Sequence, residues 1–255
     1  MGEPDLTRAE PSPARDTGLL ICAHGVAGRP GAATRHAHAI AARHRFADVH
    51  ACCLTGRPSV GEALEKLPGE VVVLVPLLMA EGYAWNTLLP RALAAARGAE
   101  RVTVRRPIGT HPGLAAVIER AAVEACAARR WETGATTLLL VGHGTGRDPH
   151  SSESLEAQAR AIACARRFAE VVPAFLEQPT RLGEALAALG NQRAVVVGLF
   201  ADAGVHGEDD VRAAVEPIRA RVHYAGPVGI LSDMADLIVD LALDADPACT
   251  DAGGA

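Results

Sequence analysis

An internal repeat constrains the fold of this chain more than any other feature of its sequence. Each of four segments in the first half recurs in the second half, in the same order and 119 to 122 positions later. The matching segments are 19–25 with 138–144, 61–64 with 183–186, 71–82 with 195–204, and 107–109 with 227–229. Four matches at a nearly constant offset indicate duplication rather than chance. The 255 residues therefore divide into two copies of a domain of about 115 residues.

Both copies alternate short apolar runs with Ala-rich segments of helical spacing. The apolar runs lie at 19–23, 49–54, 71–77, 101–105, 137–141, 170–176, 194–200 and 221–224. Runs such as 19–23, 71–77 and 194–200 are apolar throughout, which is typical of parallel strands buried on both faces. Because helical segments such as 32–45, 88–96 and 155–168 separate them, the pattern predicts right-handed crossovers. We expect an α/β protein of two tandem doubly wound, flavodoxin-like domains, each with a four-stranded parallel sheet flanked by helices.

The repeat also sets the expected domain boundaries. We expect the first copy at 17–131 and the second copy at 132–245, joined by a linker at 131–135. The flanking segments 1–16 and 246–255 are rich in Pro, Asp, Ala and Gly, so we expect them to be disordered tails.

Composition excludes several classes of protein. Hydrophobic residues make up 49% of the chain, which excludes wholesale disorder, while aromatic residues make up only 3%. The net charge of −5 gives no global electrostatic reason to bind nucleic acid. The longest apolar run, 71–80, is too short to span a membrane, and residues 1–17 lack the apolar segment of a signal peptide. Six cysteines without paired spacing predict reduced thiols and no Fe–S cluster, so we expect a cytoplasmic protein.

Candidate metal ligands follow the predicted strands, at the edge where doubly wound sheets bind ligands. His24 and His143 follow the first strand of each copy, Glu177 ends the second strand of the second copy, and His206 follows the third. Two imidazoles and one carboxylate form a ligand set suited to Fe, Co, Ni or Zn. The alternatives are structural: a histidine that ties down a turn, a solvated carboxylate at Glu177, and a helix cap at His206.

The loop after His143 is rich in glycine and carries Thr145 and Arg147, which are candidates to hold an anionic group. Phosphatase chemistry with a nucleophilic histidine usually has Arg before the His-Gly pair. Here the preceding residues are Gly142 and Ala23, so the sequence disfavours that alternative.

Three motifs in order carry a family resemblance: Gly-His-Gly-Thr-x-Arg-Asp-Pro from 142, Ala-Phe-Leu-Glu from 174, and Leu-Phe-x-x-x-Gly-Val-His from 199. From about 17 to 245 the chain resembles the class II tetrapyrrole chelatases, the sirohydrochlorin cobaltochelatases and ferrochelatases of the CbiX, CbiK and SirB type. The resemblance implies ATP-independent insertion of a divalent metal, Co²⁺ above Fe²⁺ or Ni²⁺, into sirohydrochlorin for cobalamin or siroheme biosynthesis. It also implies that His143 and His206 bind the metal and assist proton removal, with Glu177 completing the site. No GxxxxGK[ST] motif occurs, so we expect no nucleotide.

The two copies differ at these positions. At an offset of 122, Glu177 corresponds to Thr55 and His206 to Ala84, so only His24 has kept its identity. We therefore expect one metal site, in the second copy, and a degenerate site in the first.

The first copy then forms the opposite wall of a cleft. There Tyr83 and Trp85 are candidate flat surfaces for the macrocycle, or simply packing residues, and His24 is either a cleft donor or a turn residue. The expected partner is a sirohydrochlorin-type tetrapyrrole, with no nucleic acid and no membrane.

Two questions stay open from the sequence. The loss of ligands from the first copy also fits a non-catalytic tetrapyrrole- or metal-binding protein of the same fold. The oligomeric state is undecided between monomer and homo-oligomer, because the duplication already supplies within one chain what a single-copy relative needs a homodimer to form.

Overall fold

A computed structural model describes residues 14–144 and 150–244, with side chains at all of these positions except 14–15, 150–151 and 205–207. The strands within these residues are β1 Ala14–Ala23, β2 Phe46–Cys53, β3 Val71–Leu77, β4 Val102–Val104, β5 Thr136–Gly142, β6 Glu170–Phe175, β7 Arg193–Gly198 and β8 Val222–Pro227.

Helices connect the strands in both copies. The α-helices are α1 Ala32–Ala41, α2 Val60–Leu64, α3 Leu89–Ala94, α4 Leu114–Arg129, α5 His150–Cys164, α6 Leu182–Ala188, α7 Val211–Val215 and α8 Met234–Leu243. A π-helical segment precedes α3 at Ala84–Leu88, and another precedes α7 at Val205–Asp210. Short 3₁₀ turns lie at Ala99–Arg101, Ile108–Thr110, Thr133–Ala135, Glu216–Ile218 and Val228–Ile230.

The strands form two four-stranded parallel sheets of equivalent order, β2-β1-β3-β4 and β6-β5-β7-β8. The predicted pair of doubly wound domains is confirmed. The central strands are buried on both faces, which explains why the sequence shows no alternation there. In each sheet the strand order brings the carboxyl ends of the first three strands side by side, which is where the candidate ligands follow.

The chain enters the first sheet earlier than predicted. Residues 14–16, expected to belong to a disordered tail, are part of β1, and Ala14 pairs with Phe46 across a register shift that ends at Gly18. Strand pairing uses backbone groups, so a polar segment extends a sheet without an apolar signal in its sequence. The rest of the predicted tails, 1–13 and 246–255, lies outside the described residues.

The two copies exchange their last helices. Helix α4 of the first copy packs against β7, β8 and α5 of the second, and α8 of the second packs against β3 and α1 of the first. One apolar core therefore runs through both copies, with Leu19 and Ile21 in the same cluster as Leu138 and Leu140. Two smaller clusters cover the outer faces of the sheets.

Equivalent hydrogen bonds cross between the copies in both directions. The ring of His36, on α1, donates from Nε2 to the Gly229 carbonyl oxygen at 2.7 Å. At the equivalent position on α5, Gln158 donates from Nε2 to the Gly109 carbonyl oxygen at 3.0 Å. These buried bonds hold the copies in an approximately two-fold relation.

Two observations bear on the expected environment of the chain. Within the described residues, no helix is long and apolar enough to cross a bilayer. Of the cysteines described there, Cys22, Cys52, Cys53 and Cys126 are buried and Cys164 is exposed, all as free thiols. Cys249 lies outside the described residues.

Candidate functional site

The carboxyl ends of the two sheets face a common cavity of about 390 Å³. Its polar side chains come from both copies, and apolar side chains form much of the remaining wall. Its lining includes the polar residues His24, Tyr83, His143 and Glu177 and the apolar residues Leu78 and Leu199. The volume lies in the range of ordinary small-molecule sites, about 300 to 1,000 Å³.

His143 and Glu177 meet at this cavity. The His143 Nδ1 lies 3.7 Å from the Glu177 Oε2, and the two side chains are 46% and 56% exposed. Backbone bonds tie the two strand ends together, since the Glu177 N–H donates to the His143 carbonyl oxygen at 3.0 Å. Side chains held this way on neighbouring strands are placed together before any ligand arrives.

The hydrogen bonding of His143 selects its basic nitrogen. Nδ1 lies 3.0 Å from the Gly144 carbonyl oxygen, which only accepts, so Nδ1 carries the proton in the neutral ring. The lone pair of the neutral ring is then on Nε2, the nitrogen that would bind a metal or accept a pyrrole proton.

The other predicted site residues of the second copy are described only in part. The backbone of His206 lies in the π-helical segment Val205–Asp210, reached from the end of β7, and its side chain lies outside the description. Thr145 and Arg147 lie outside the described residues. The described side chains thus bring together two of the three predicted ligands, and among them no group of three metal-binding side chains occurs.

The first copy repeats this backbone arrangement without the ligands. Thr55, at the position of Glu177, donates from Oγ1 to the His24 carbonyl oxygen at 2.8 Å, which ties down the loop. Ala84, at the position of His206, begins the π-helical segment Ala84–Leu88 and presents a methyl group to the cavity. His24 itself is exposed and lines the cavity.

The two aromatic candidates of the first copy separate. Tyr83 lines the cavity with 60% of its surface exposed. Trp85 does not line the cavity but packs against the outer apolar cluster that includes Leu20 and Cys52, so the prediction of a flat surface at the cleft fails for it. Residues two apart in a helical segment lie about 200° apart around its axis, which puts the two rings on opposite sides.

Asp202 was not among the residues expected from the sequence. It follows β7 within the segment 199–204, here called the β7 loop. Its carboxylate accepts a hydrogen bond from the Ala32 backbone N–H at the start of α1, and its side chain is only 14% exposed. The available signal was an acidic residue just beyond a buried strand, at the same sheet edge as Glu177.

Comparison with known proteins gives a consistent family. The family model described as CbiX matches this chain twice, at residues 18–125 and 137–245. A protein of Halobacterium salinarum described as a probable sirohydrochlorin cobaltochelatase is 27% identical over 274 residues, which cover 92% of this chain and 93% of that protein.

Solved structures show the same architecture. The CbiX that is the terminal enzyme for biosynthesis of siroheme in denitrifying bacteria has 29% identity and a TM-score of 0.72, over 88% of this chain and 96% of that one. SirB from Bacillus subtilis with Fe³⁺ has the same TM-score at 17% identity, over 89% of this chain and 94% of that one, and so shares the fold. The tandem match of one family model across most of the sequence shows that this chain belongs to the CbiX family.

Proposed function

We propose that this protein inserts a divalent metal ion, Co²⁺ in the first place, into sirohydrochlorin without ATP. The observation that carries the proposal is the approach of His143 and Glu177 to 3.7 Å at a cavity between two duplicated sheets. The helical segment that carries His206 follows the neighbouring strand β7 after the loop 199–204. We assign the metal site to the second copy and the degenerate site to the first.

Metal insertion breaks two pyrrole N–H bonds, forms bonds from the ring nitrogens to the metal, and releases two protons. A chelatase must therefore hold a partly dehydrated cation and accept protons at one place. A neutral imidazole does both, because its ordinary pKa of about 6.5 permits ligation and proton exchange near neutrality. We assign the metal and proton transfer to Nε2 of His143, to His206 and to the Glu177 carboxylate, which also offsets the charge of the cation.

The metal is a substrate, so the site must release it. A mixed set of nitrogen and oxygen ligands with open positions suits this better than a closed cage of cysteine thiolates. The exposure of His143 and Glu177, 46% and 56%, leaves room for an incoming macrocycle above the ion. Tyr83 and the apolar side chains Leu78 and Phe200 face the same cavity and suit a flat aromatic ring.

The choice of metal depends on similarity rather than on ligand chemistry. Sites of this type follow the Irving–Williams order, so the ligand set alone does not separate Co²⁺ from Fe²⁺ or Ni²⁺. The Halobacterium relative is described as a cobaltochelatase and aligns over nearly its whole length, which favours Co²⁺. The relative that makes siroheme favours Fe²⁺ as the alternative on the same macrocycle. The free thiols fit a reducing compartment, and we propose the cytoplasm.

The experiment is an anaerobic assay with sirohydrochlorin and Co²⁺, Fe²⁺ or Ni²⁺, followed by the absorbance of the macrocycle. We expect the protein to accelerate insertion over the uncatalysed reaction, most strongly with Co²⁺. No acceleration with any of the metals would contradict the chelatase proposal. Binding of the macrocycle or metal without turnover would instead support a carrier of the same fold.

A further inference from the structure

We propose that Asp202 is a positioning residue through which the first copy holds the β7 loop, and with it the start of the helical segment that carries His206. This inference rests on the proposed function. It assigns the first copy a role in the metal site of the second copy, beyond forming the opposite wall of the cavity.

The carboxylate of Asp202 joins the two copies. Oδ2 accepts a hydrogen bond of 2.5 Å from the backbone N–H of Ala32, in the first turn of the ten-residue helix α1. Oδ1 accepts a bond of 2.8 Å from the N–H of Ala203, within the β7 loop itself. The Nη2 of Arg35 lies 3.9 Å from Oδ1. The N-terminus of a helix favours a negative charge, so α1 attracts this carboxylate electrostatically in addition to donating a hydrogen bond to it.

Gly31 makes the approach possible. Its φ of +58° lies in the left-handed region, and a Cβ added there would lie 1.7 Å from the Asp202 Oδ2. Any residue with a side chain would therefore push the carboxylate away from the Ala32 N–H. The first copy has a glycine at the one position where the second copy inserts its acid.

A second contact from α1 acts on the same loop. The His36 ring donates to the carbonyl oxygen of Gly229, and the N–H of Gly229 donates to the Phe200 carbonyl oxygen at 2.9 Å. Gly229 also lies directly against the Ala201 carbonyl, since an added Cβ would be 2.3 Å from that oxygen. Phe200 and Ala201 both line the cavity, so α1 supports the cavity wall immediately before the π-helical segment begins.

The equivalent contact in the other direction does not use a carboxylate. Ala80 occupies the position of Asp202 in the first copy, and Ser154 occupies the position of Ala32 on α5. The fold therefore forms without an acid at this point. The acid occurs in the copy whose loop leads to the predicted ligand His206. This distribution indicates a role in the metal site rather than in holding the fold together.

The test uses Asp202→Ala, Asp202→Asn and Gly31→Ala, with Gly28→Ala as the matched control. Gly28 is in the same loop with a φ of +73°, but a Cβ there would meet no atom within 4 Å. It thus also places an alanine at a positive φ, but without displacing the carboxylate. The readouts are kcat and KM for Co²⁺ insertion, and the visible absorption spectrum of Co²⁺ bound to the protein without macrocycle.

We expect Asp202→Ala to lower kcat about 10- to 100-fold, the usual loss when a residue supporting a metal ligand is removed, and to change the Co²⁺ spectrum. The KM for sirohydrochlorin should change little. Asp202→Asn should recover part of the loss, because its amide oxygen still accepts from Ala32. Gly31→Ala should resemble Asp202→Ala, and the double variant that combines these two substitutions should lose no more than the more affected single variant.

Three results would overturn the inference while leaving the proposed function intact. They are wild-type kcat and spectrum in Asp202→Ala, an equal loss in Gly28→Ala and Gly31→Ala, and additive losses in the double variant. If Asp202→Ala does not fold, Asp202→Asn and the two glycine variants still decide the question. A wild-type protein that inserts no metal would contradict the proposed function instead.

Discussion

The two copies share strand order, π-helical segments and a His-Gly turn after the first strand, yet they differ at two of the three positions proposed to bind the metal. The second copy has Glu177 where the first has Thr55, and His206 where the first has Ala84. In the first copy the Thr55 hydroxyl ties down the backbone of His24, so the turn persists without a carboxylate ligand. The backbone arrangement of the site is thus independent of the ligands it supports.

The comparison also indicates why a copy without the full ligand set is retained. The first copy provides His24 and Tyr83 to the cavity, and its helix α1 contacts the β7 loop through Ala32 and His36. The exchanged helices α4 and α8 make each copy part of the core of the other. Loss of the first copy would therefore remove support from the second as well as one wall of the cavity.

The largest expected difference between the copies concerns their two histidines, each replaced by alanine in turn. We expect His143→Ala to lower the rate of Co²⁺ insertion about 1,000-fold, because it removes both a ligand and a proton acceptor. His24→Ala should lower the rate less than about tenfold, since its copy lacks the carboxylate and the second imidazole. Initial rates at saturating metal measure both. A larger loss of rate in His24→Ala than in His143→Ala would show that the metal site lies in the first copy.

A second variant converts the second copy toward the first. Glu177→Thr reproduces the residue found at Thr55, whose hydroxyl bonds to the carbonyl of the preceding turn. We expect a loss of about 100-fold in kcat with a folded protein, since the threonine has a stable place in the equivalent turn. Glu177→Gln, of nearly equal size but without charge, is the control for shape. Full activity in either variant would show that the Glu177 carboxylate is not part of the metal site.

The smallest expected effect concerns the paired hydrogen bonds of His36 and Gln158. Burial lowers the pKa of His36, against the opposing effect of its bond to Gly229. The unfolded chain therefore binds a proton below about pH 6.5 before the folded protein does, so stability falls as the pH drops below that value. The slope from one such group is at most about 1.4 kcal/mol per pH unit.

His36→Gln, which copies Gln158, should reduce this acid sensitivity while keeping a donor for the Gly229 carbonyl oxygen. Denaturant unfolding at pH 7.5 and pH 5.5 compares the two proteins. Part of the acid sensitivity should remain, because burial, Arg129 and Arg212 lower the pKa of His223 as well. An unchanged pH dependence in His36→Gln would show that His36 is not titrating in this range.

Sequence patterns predict the sheets well because the signal is local. A run such as Val71–Leu77 is apolar along its whole length and rich in valine, which is typical of a strand buried on both faces. Crossover connections make the strands parallel, so their carboxyl ends lie at one edge of the sheet. For this reason His143 and Glu177, which follow two of these strands, are expected to lie close together. Glu177 did not need a long-range contact to be recognised.

What the sequence left unpredicted depends on contacts between distant residues. Asp202 and Ala32 are 170 positions apart, and an acid after a strand is indistinguishable from a solvated terminus until the two copies are docked. The exchange of α4 and α8 is hidden for the same reason, since either helix has an apolar face that fits its own sheet. The prediction for Trp85 was wrong because Trp85 is two positions from Tyr83 and lies on the opposite side of the helical segment.

We propose that one copy holds the metal and the other does not. The stoichiometry follows from titration of Co²⁺ into the protein without macrocycle, measured by visible absorption and equilibrium dialysis. We expect one Co²⁺ per chain in the wild type and in His24→Ala, and weak or no binding in His143→Ala. Two ions per chain, or binding that is lost in His24→Ala and kept in His143→Ala, would contradict it.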